Sequence, residues 1–284
     1  MRDPHLRLKV TDRVMRALCV VCTAIAVVPL LSVLIYVTGK GLEGLSWSFF
    51  TSLPKPVGEP GGGMANAIVG TLELVGLASL IGVPFGVLAG VYLAEFGAGR
   101  FARVVRFSAD VMTGVPSIVV GIFVYTLIVL TMRRFSVIAG ALALAIIMLP
   151  VVTRTTEELL RLVPDSLREA ALALGVPRWR AILRVVLRTA APGIATGVML
   201  AVARVAGETA PLLFTAFNNR FWNEGLTQPI ASMPVQIFTF AVAPYEDWHR
   251  QAWAGALVLV AIVLLCSLAA RVATARMERL QRGA

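Results

Sequence analysis

Charged residues make up only 15% of the 284 residues, against 58% that are hydrophobic. So little charge excludes a soluble domain, which could not hide this much apolar surface; with a mean hydropathy of +0.82 the chain reads as a polytopic membrane protein. Histidine is nearly missing: His5 and His249 both lie in segments flanking apolar runs. With no Ser-His-Asp arrangement and no metal-ligand cluster, nothing supports hydrolysis inside the membrane, and no cofactor or metal is expected. Of three cysteines, Cys19 and Cys22 form a C-x-x-C inside the first apolar run and Cys266 lies inside the last. Without a second ligand pair, they read as buried thiols and not as a disulfide or zinc site. The G-x-x-x-x-G-K-[ST] phosphate loop is absent too, its nearest approach being Gly39-Lys40-Gly41. Gly61-Gly62-Gly63 is followed by neither Lys-Ser nor Lys-Thr, so it reads as a linker. The chain is therefore not expected to be an enzyme, and any ATP chemistry belongs to another subunit.

What charge there is leans basic: 26 Lys and Arg against 16 Asp and Glu, a net +10 and a pI near 10.5. A nucleic-acid binder would gather these residues into one patch. Here they stand at the ends of apolar runs, which fits a lipid bilayer and argues against nucleic acid. Arg2, Arg7, Lys9, Arg13 and Arg16 precede a first span at 17–37, with no clear cleavage site after it. An outer loop at 38–65 carries Trp47, Phe49, Phe50, Pro54, Pro56 and Pro60. The second span, 67–94, is longer than needed and interrupted by Pro84, so a tilt or kink is expected. Arg100, Arg103 and Arg106, at steps of three, predict one face of a short interfacial helix. A third span starts near Asp110 and is opened by Pro116 in Thr113-Gly114-Val115-Pro116-Ser117-Ile118. Arg133-Arg134 turn into a fourth span at 137–152; a fifth is expected at 191–217 and a sixth at 252–272.

Six spans put both termini, the Arg100 to Arg106 turn and the 153–190 loop on one side. That side also holds Arg271, Arg276, Arg279 and Arg282, while the opposite loops hold few basic residues: Lys40, Lys55, Arg133, Arg134, Arg220 and Arg250. The positive-inside rule makes the richer side cytoplasmic. The expected organisation is an N-terminal cytoplasmic segment (1–16), a first transmembrane helix (17–37), an external loop (38–65), a five-helix core (66–274) with a loop at 153–190, and a cytoplasmic tail (275–284).

Two stretches carry chemistry. In Pro164-Asp165-Ser166-Leu167-Arg168-Glu169-Ala170-Ala171-Leu172-Ala173-Leu174-Gly175, Asp165 or Ser166 can cap a helix, Glu169 complements its positive end, and Gly175 can supply the positive φ that ends it. Pro177 then opens a second helix, giving a helix-turn-helix between two spans. In Ala203-Arg204-Val205-Ala206-Gly207-Glu208-Thr209-Ala210-Pro211, an arginine at depth costs about 2.5 to 3.5 kcal/mol and must face a partner or water. Glu208 stands one helical turn on. Two readings remain open: a neutralised pair that orients the bundle, or a site on a transport path, where the arginine fork would bind an oxyanion in competition with Glu208.

Glu169-Ala170-Ala171 followed by Gly175 resembles the EAA loop of ABC importer permeases, which docks on the ATPase subunit; the Ile-x-Leu-Pro that often follows is replaced by Val185-Val186-Leu187-Arg188. The 114–119 and 204–213 stretches resemble the A-type permease family of the bacterial phosphate-specific ABC importer. So do Phe217-Asn218-Asn219, Gln228-Pro229-Ile230-Ala231, 234–238 and Ala252-Trp253-Ala254-Gly255. The resemblance spans about Ala65 to Gly255. It implies an all-α permease of the MetI-like type I importer fold, with six transmembrane helices and a cytoplasmic coupling helix, in the bacterial inner membrane. It also implies a homologous C-type permease, two ATP-binding subunits and an external phosphate-binding protein as partners. On that reading Asp165, Glu169, Ala170, Ala171 and Gly175 couple to the ATPase, and Arg204, Glu208, Thr209 and Ser117 line the substrate path. The alternatives are a permease for another small oxyanion, a secondary transporter using Glu73, Glu208 and the Pro116 break, or a membrane scaffold; the second lacks an internal repeat and leaves the docking loop unexplained, and the third would not need an ion pair at depth. The apolar outer segment 218–250 is expected either over the pore mouth, against the binding protein, or as a short helix in the membrane interface.

Overall fold

A computed structural model describes residues 4–56, 59 and 61–282. Arg2 and Pro60 lie outside the described residues, as do the side chains of His5, Arg7, Arg276, Arg279 and Arg282. Every regular element among the described residues is helical.

Helix α1 (Pro4–Gly44) is long and apolar enough over Thr11–Gly44 to cross a membrane, yet most of it is exposed within the chain. It meets the last helix, α13 (Glu246–Arg282), towards its C-terminal end, where Tyr36 stands edge-on to Trp253 at 5.2 Å. Cys19, Cys22 and Cys266 are free but exposed within the chain, which corrects the expectation of buried thiols: among the described residues no other helix covers those faces of α1 and α13. Helix α2 (Trp47–Thr51) is capped by Ser46, whose hydroxyl accepts from the Phe49 N–H.

The centre of the bundle is α3 (Ala65–Glu95) against α7 (Val137–Arg161). Gly82, Gly86 and Gly90 recur every four residues on α3 and let the two backbones approach. A Cβ on Gly86 would lie 2.8 Å from the Val152 Cβ, and one on Gly90 2.6 Å from the Thr156 Cβ. Leu74, Ala78, Leu144, Ala145, Met148 and Val152 fill the interface. Helix α3 continues as one helix through Pro84, held along this seam.

Helix α4 (Arg100–Gly114) and α5 (Ser117–Val124) meet at 106°, hinged at Val115 and Pro116. Asp110 lies inside α4 and bonds Arg154 at 3.0 Å, and α4 with the run to Met132 makes one bent candidate span broken at Pro116. Arg106 does not share an outer face with Arg100 and Arg103; its guanidinium turns inward. Through a π turn at Tyr125–Val129, α5 reaches α6 (Leu130–Met132), and Arg133 takes a left-handed φ of 53° in the expected tight turn.

Helix α7 runs past Val152 to Arg161, and α8 (Asp165–Ala173) follows. Helix α9 (Arg178–Ala181) leads through a π turn (Ile182–Val186) into α10 (Leu187–Ala206), so this span begins well before residue 191. It also stops early: Gly207, Glu208 and Thr209 separate it from α11 (Ala210–Thr215). Helix α12 (Met233–Ala241) lies between α11 and α13 in sequence. Ile230, Ala231, Met233, Val235 and Phe240 are buried, and the Met233 N–H donates to the Thr71 hydroxyl of α3 at 2.8 Å. The apolar content of the outer segment is thus divided: these residues pack into the bundle, while Phe221, Trp222, Leu226, Phe238, Val242 and Tyr245 stay exposed. Among the described residues five helices are long and apolar enough to span, six if the bent α4–α6 pair counts as one.

Candidate functional site

Helix α8 is held at its ends by different devices. Pro164, not Asp165 or Ser166, occupies the N-cap, and no side chain caps the free N–H groups; Asp165 is the first helical residue and accepts from Arg168 at 3.0 Å. At the other end Gly175 has φ +76°, its N–H donates to the Leu172 carbonyl and the Val176 N–H to that of Ala171. This Schellman arrangement needs the left-handed residue that only glycine adopts without strain. Glu169 and Ala170 are exposed, Ala171 is buried. Around them Leu162, Leu172, Leu174 and Trp179 are 77%, 49%, 83% and 58% exposed, a run of large apolar side chains on a loop between spans. An exposed apolar face of this kind marks a site of protein or membrane interaction.

Behind that face two polar clusters bind the loop to the spans. The Arg168 guanidinium donates to Glu95 Oε1 at the end of α3, to the Leu160 and Val163 carbonyls at the end of α7, and to Asp165. Arg178 donates to the Glu95 carbonyl at 2.7 Å and lies over the Phe96 ring. One turn deeper, the fully buried Glu157 receives Arg106 and Arg161, both at 2.6 Å, and Arg154 at 3.3 Å. Arg106 also donates to the carbonyls of Leu93 and Gly97. Sequence reasoning missed these roles. Arg154, Glu157 and Arg161 at helical spacing were a usable signal, whereas Arg106 and Arg168 reach partners far away in sequence and gave none.

The membrane pair sits at a helix break. Arg204 occupies the last turn of α10, a favourable place for a cation, and is 53% exposed. Glu208 is in the break, not on the same helix, and its Oε1 is 3.9 Å from Arg204 Nε. That is an ion contact too long for a hydrogen bond, and among the described residues nothing hydrogen-bonds the Arg204 guanidinium. The fork is left open for another acceptor. Thr209 begins the restart, where its carbonyl accepts from Leu212 and Leu213. Ser117 starts α5 after the other break and is half-buried. The two restarted helices touch: Gly121 of α5 packs on Pro211 of α11. The structure thus brings together the elements that carry Ser117, Thr209 and Glu208, while no hydrogen bond or ion pair among the described residues joins Ser117 to Arg204.

Residues 82–283 match the family described as the binding-protein-dependent transport system inner membrane component. Among curated relatives, the phosphate transport system permease protein PstA of Yersinia pestis is 52% identical over 84% of this chain and 81% of that protein. The protein of the same name from Haemophilus influenzae is 46% identical over 91% of each. Of solved structures, a bacterial alginate ABC transporter superposes with a TM-score of 0.66, at 14% identity over 92% of this chain and 93% of that one. The MetNI methionine ABC transporter gives 0.64, at 16% identity over 75% of this chain and 95% of the other. With that match over most of its length and such relatives beside it, this chain belongs to the family of binding-protein-dependent transport system inner membrane components.

Proposed function

We propose that this permease subunit forms one half of a translocation path for inorganic phosphate in an ATP-driven importer. The carrying observation is Arg204, whose planar fork stands half-exposed at a helix break, with no hydrogen bond among the described residues. A guanidinium there offers paired charge-assisted donors to a phosphate passing from the partner half. The relatives named for phosphate transport, at 52% and 46% identity, support that substrate over another oxyanion. Glu208 at 3.9 Å is close enough to hold the cation between passages and too far to occupy its donors. Thr209 and Ser117 flank the path on the two restarted helices.

The partners are a homologous C-type permease, two ATP-binding subunits and an external phosphate-binding protein. Helix α8 docks on an ATP-binding subunit through Asp165, Glu169, Ala170, Ala171 and the apolar face that ends at Gly175. The bias of Lys and Arg sets the α8 loop and both termini in the cytoplasm. In vesicles holding the assembled complex, Arg204→Gln abolishes phosphate uptake and Arg204→Lys restores little, because an ammonium is a point charge and not a fork. Near-normal flux per assembled complex in Arg204→Gln would reduce the residue to a structural clasp.

A further inference from the structure

Helix α8 has little apolar anchorage of its own. Among its described residues only Ala171 is buried, while Leu167 and Leu172 are 40% and 49% exposed. What ties the helix to the membrane domain is polar and converges on one side chain. Arg168 donates through Nε and Nη2 to Glu95 Oε1 at 3.2 and 3.0 Å, through Nη2 to the Leu160 carbonyl at 2.8 Å, and through Nη1 to the Val163 carbonyl at 2.6 Å. Leu160 lies in the last turn of α7, where its carbonyl also accepts from the Val163 N–H at 3.3 Å, and Val163 lies in the turn that follows. Glu95 is the last residue of α3, and its side chain is only 6% exposed. One guanidinium therefore grips the ends of the two spans that share the central glycine seam.

We propose that Arg168, held by Glu95, is the positioning residue through which displacement of α8 is passed to α3 and α7 together. The proposal rests on the reading of α8 as the ATPase-docking helix. A charged, planar fork with several short bonds resists shear in a way that a small buried alanine does not, because each bond is directional and largely removed from water. The glycine seam then moves as one body: Val152 and Thr156 of α7 already sit where side chains at Gly86 and Gly90 would be, so the spans cannot slide independently. Loosening the grip should leave the docking face intact and let α8 move without the spans.

The test uses the complete reconstituted complex and measures phosphate imported per ATP hydrolysed, alongside the amount of ATP-binding subunit that co-purifies. Arg168→Gln should lower that ratio at least about fivefold, the lower end of ordinary coupling between sites. Arg168→Lys should recover little of it, since the fork is lost. Glu95→Gln, which keeps an acceptor but removes the charge, should give an intermediate ratio with ATP hydrolysis continuing. An unchanged ratio per assembled complex in Arg168→Gln and Glu95→Gln overturns the proposal, as does a loss that tracks assembly alone. The docking reading is checked separately by Leu174→Cys in the otherwise unaltered chain: failure to cross-link to an ATP-binding subunit refutes docking whatever the ratio shows.

Discussion

Gly121 and Pro211 touch where the two interrupted helices cross. A Cβ on Gly121 would stand 2.7 Å from the Pro211 Cα, so glycine is what lets α5 and α11 meet. Each of these helices restarts after a proline- or glycine-marked break, and their contact links the stretch bearing Ser117 to the one bearing Glu208 and Thr209.

Adding bulk at that crossing should separate the helices. Gly121→Val is expected to cost about 1–3 kcal/mol by overpacking. Phosphate flux per assembled complex should fall further than the thermal stability of the complex suggests. Full flux in this variant would show that the crossing is not part of the path.

Removing Glu208 tests the open fork from the other side. Glu208→Gln keeps the shape of the side chain and leaves Arg204 without its carboxylate, so phosphate should be retained longer and uptake should slow. Radiolabelled phosphate release from loaded complex measures this. If release is unchanged while the yield of complex drops, the pair serves assembly.

The docking face makes a third prediction. Gly175→Pro removes the N–H bonded to Leu172 and forbids the φ of +76° seen there, and Glu169→Lys reverses an exposed charge beside the apolar face. Both should leave the spans inserted while ATP hydrolysis no longer drives uptake, as read from paired hydrolysis and transport assays.

Glu157 is the most consequential buried charge among the described residues. With Arg106, Arg154 and Arg161 all directed at it, Glu157→Ala should cost about 3–5 kcal/mol, the range for breaking a buried ion pair from one side. Detergent-solubilised complex should melt lower, and Glu157→Gln should melt between the two.

The outer segment is best probed away from its own bonds. Asn223 donates to Glu73 of α3 at 3.2 Å, so a cysteine there would disturb the loop that it reports on. Glu224 is exposed and adjacent. A cross-linker at Glu224→Cys should capture the external binding protein in a working complex; consistent failure would assign the segment to the bundle and the membrane interface alone.

What the sequence determined by itself was local. Apolar runs long enough to span, the left-handed Gly175 after a helix-forming stretch, the break at Pro116 and the four-residue spacing of Arg204 and Glu208 each depend on residues close together in the chain. Even the break between that pair had a local signal, Gly207 followed by Pro211, although the spacing invited an uninterrupted helix. The partners of Arg106 and Arg168 were beyond such reasoning. A step of three set Arg106 beside Arg100 and Arg103, but the packing of α4 against α7 turned it to Glu157, a buried carboxylate that Arg154 and Arg161 also approach from its own helix. Likewise the apolar outer segment looked surplus until α3 supplied Thr71 and a surface to bury part of it. Tertiary structure decided these features because desolvated charges and apolar surface must be matched by whatever the packed bundle brings near, and only the fold fixes which side chains those are.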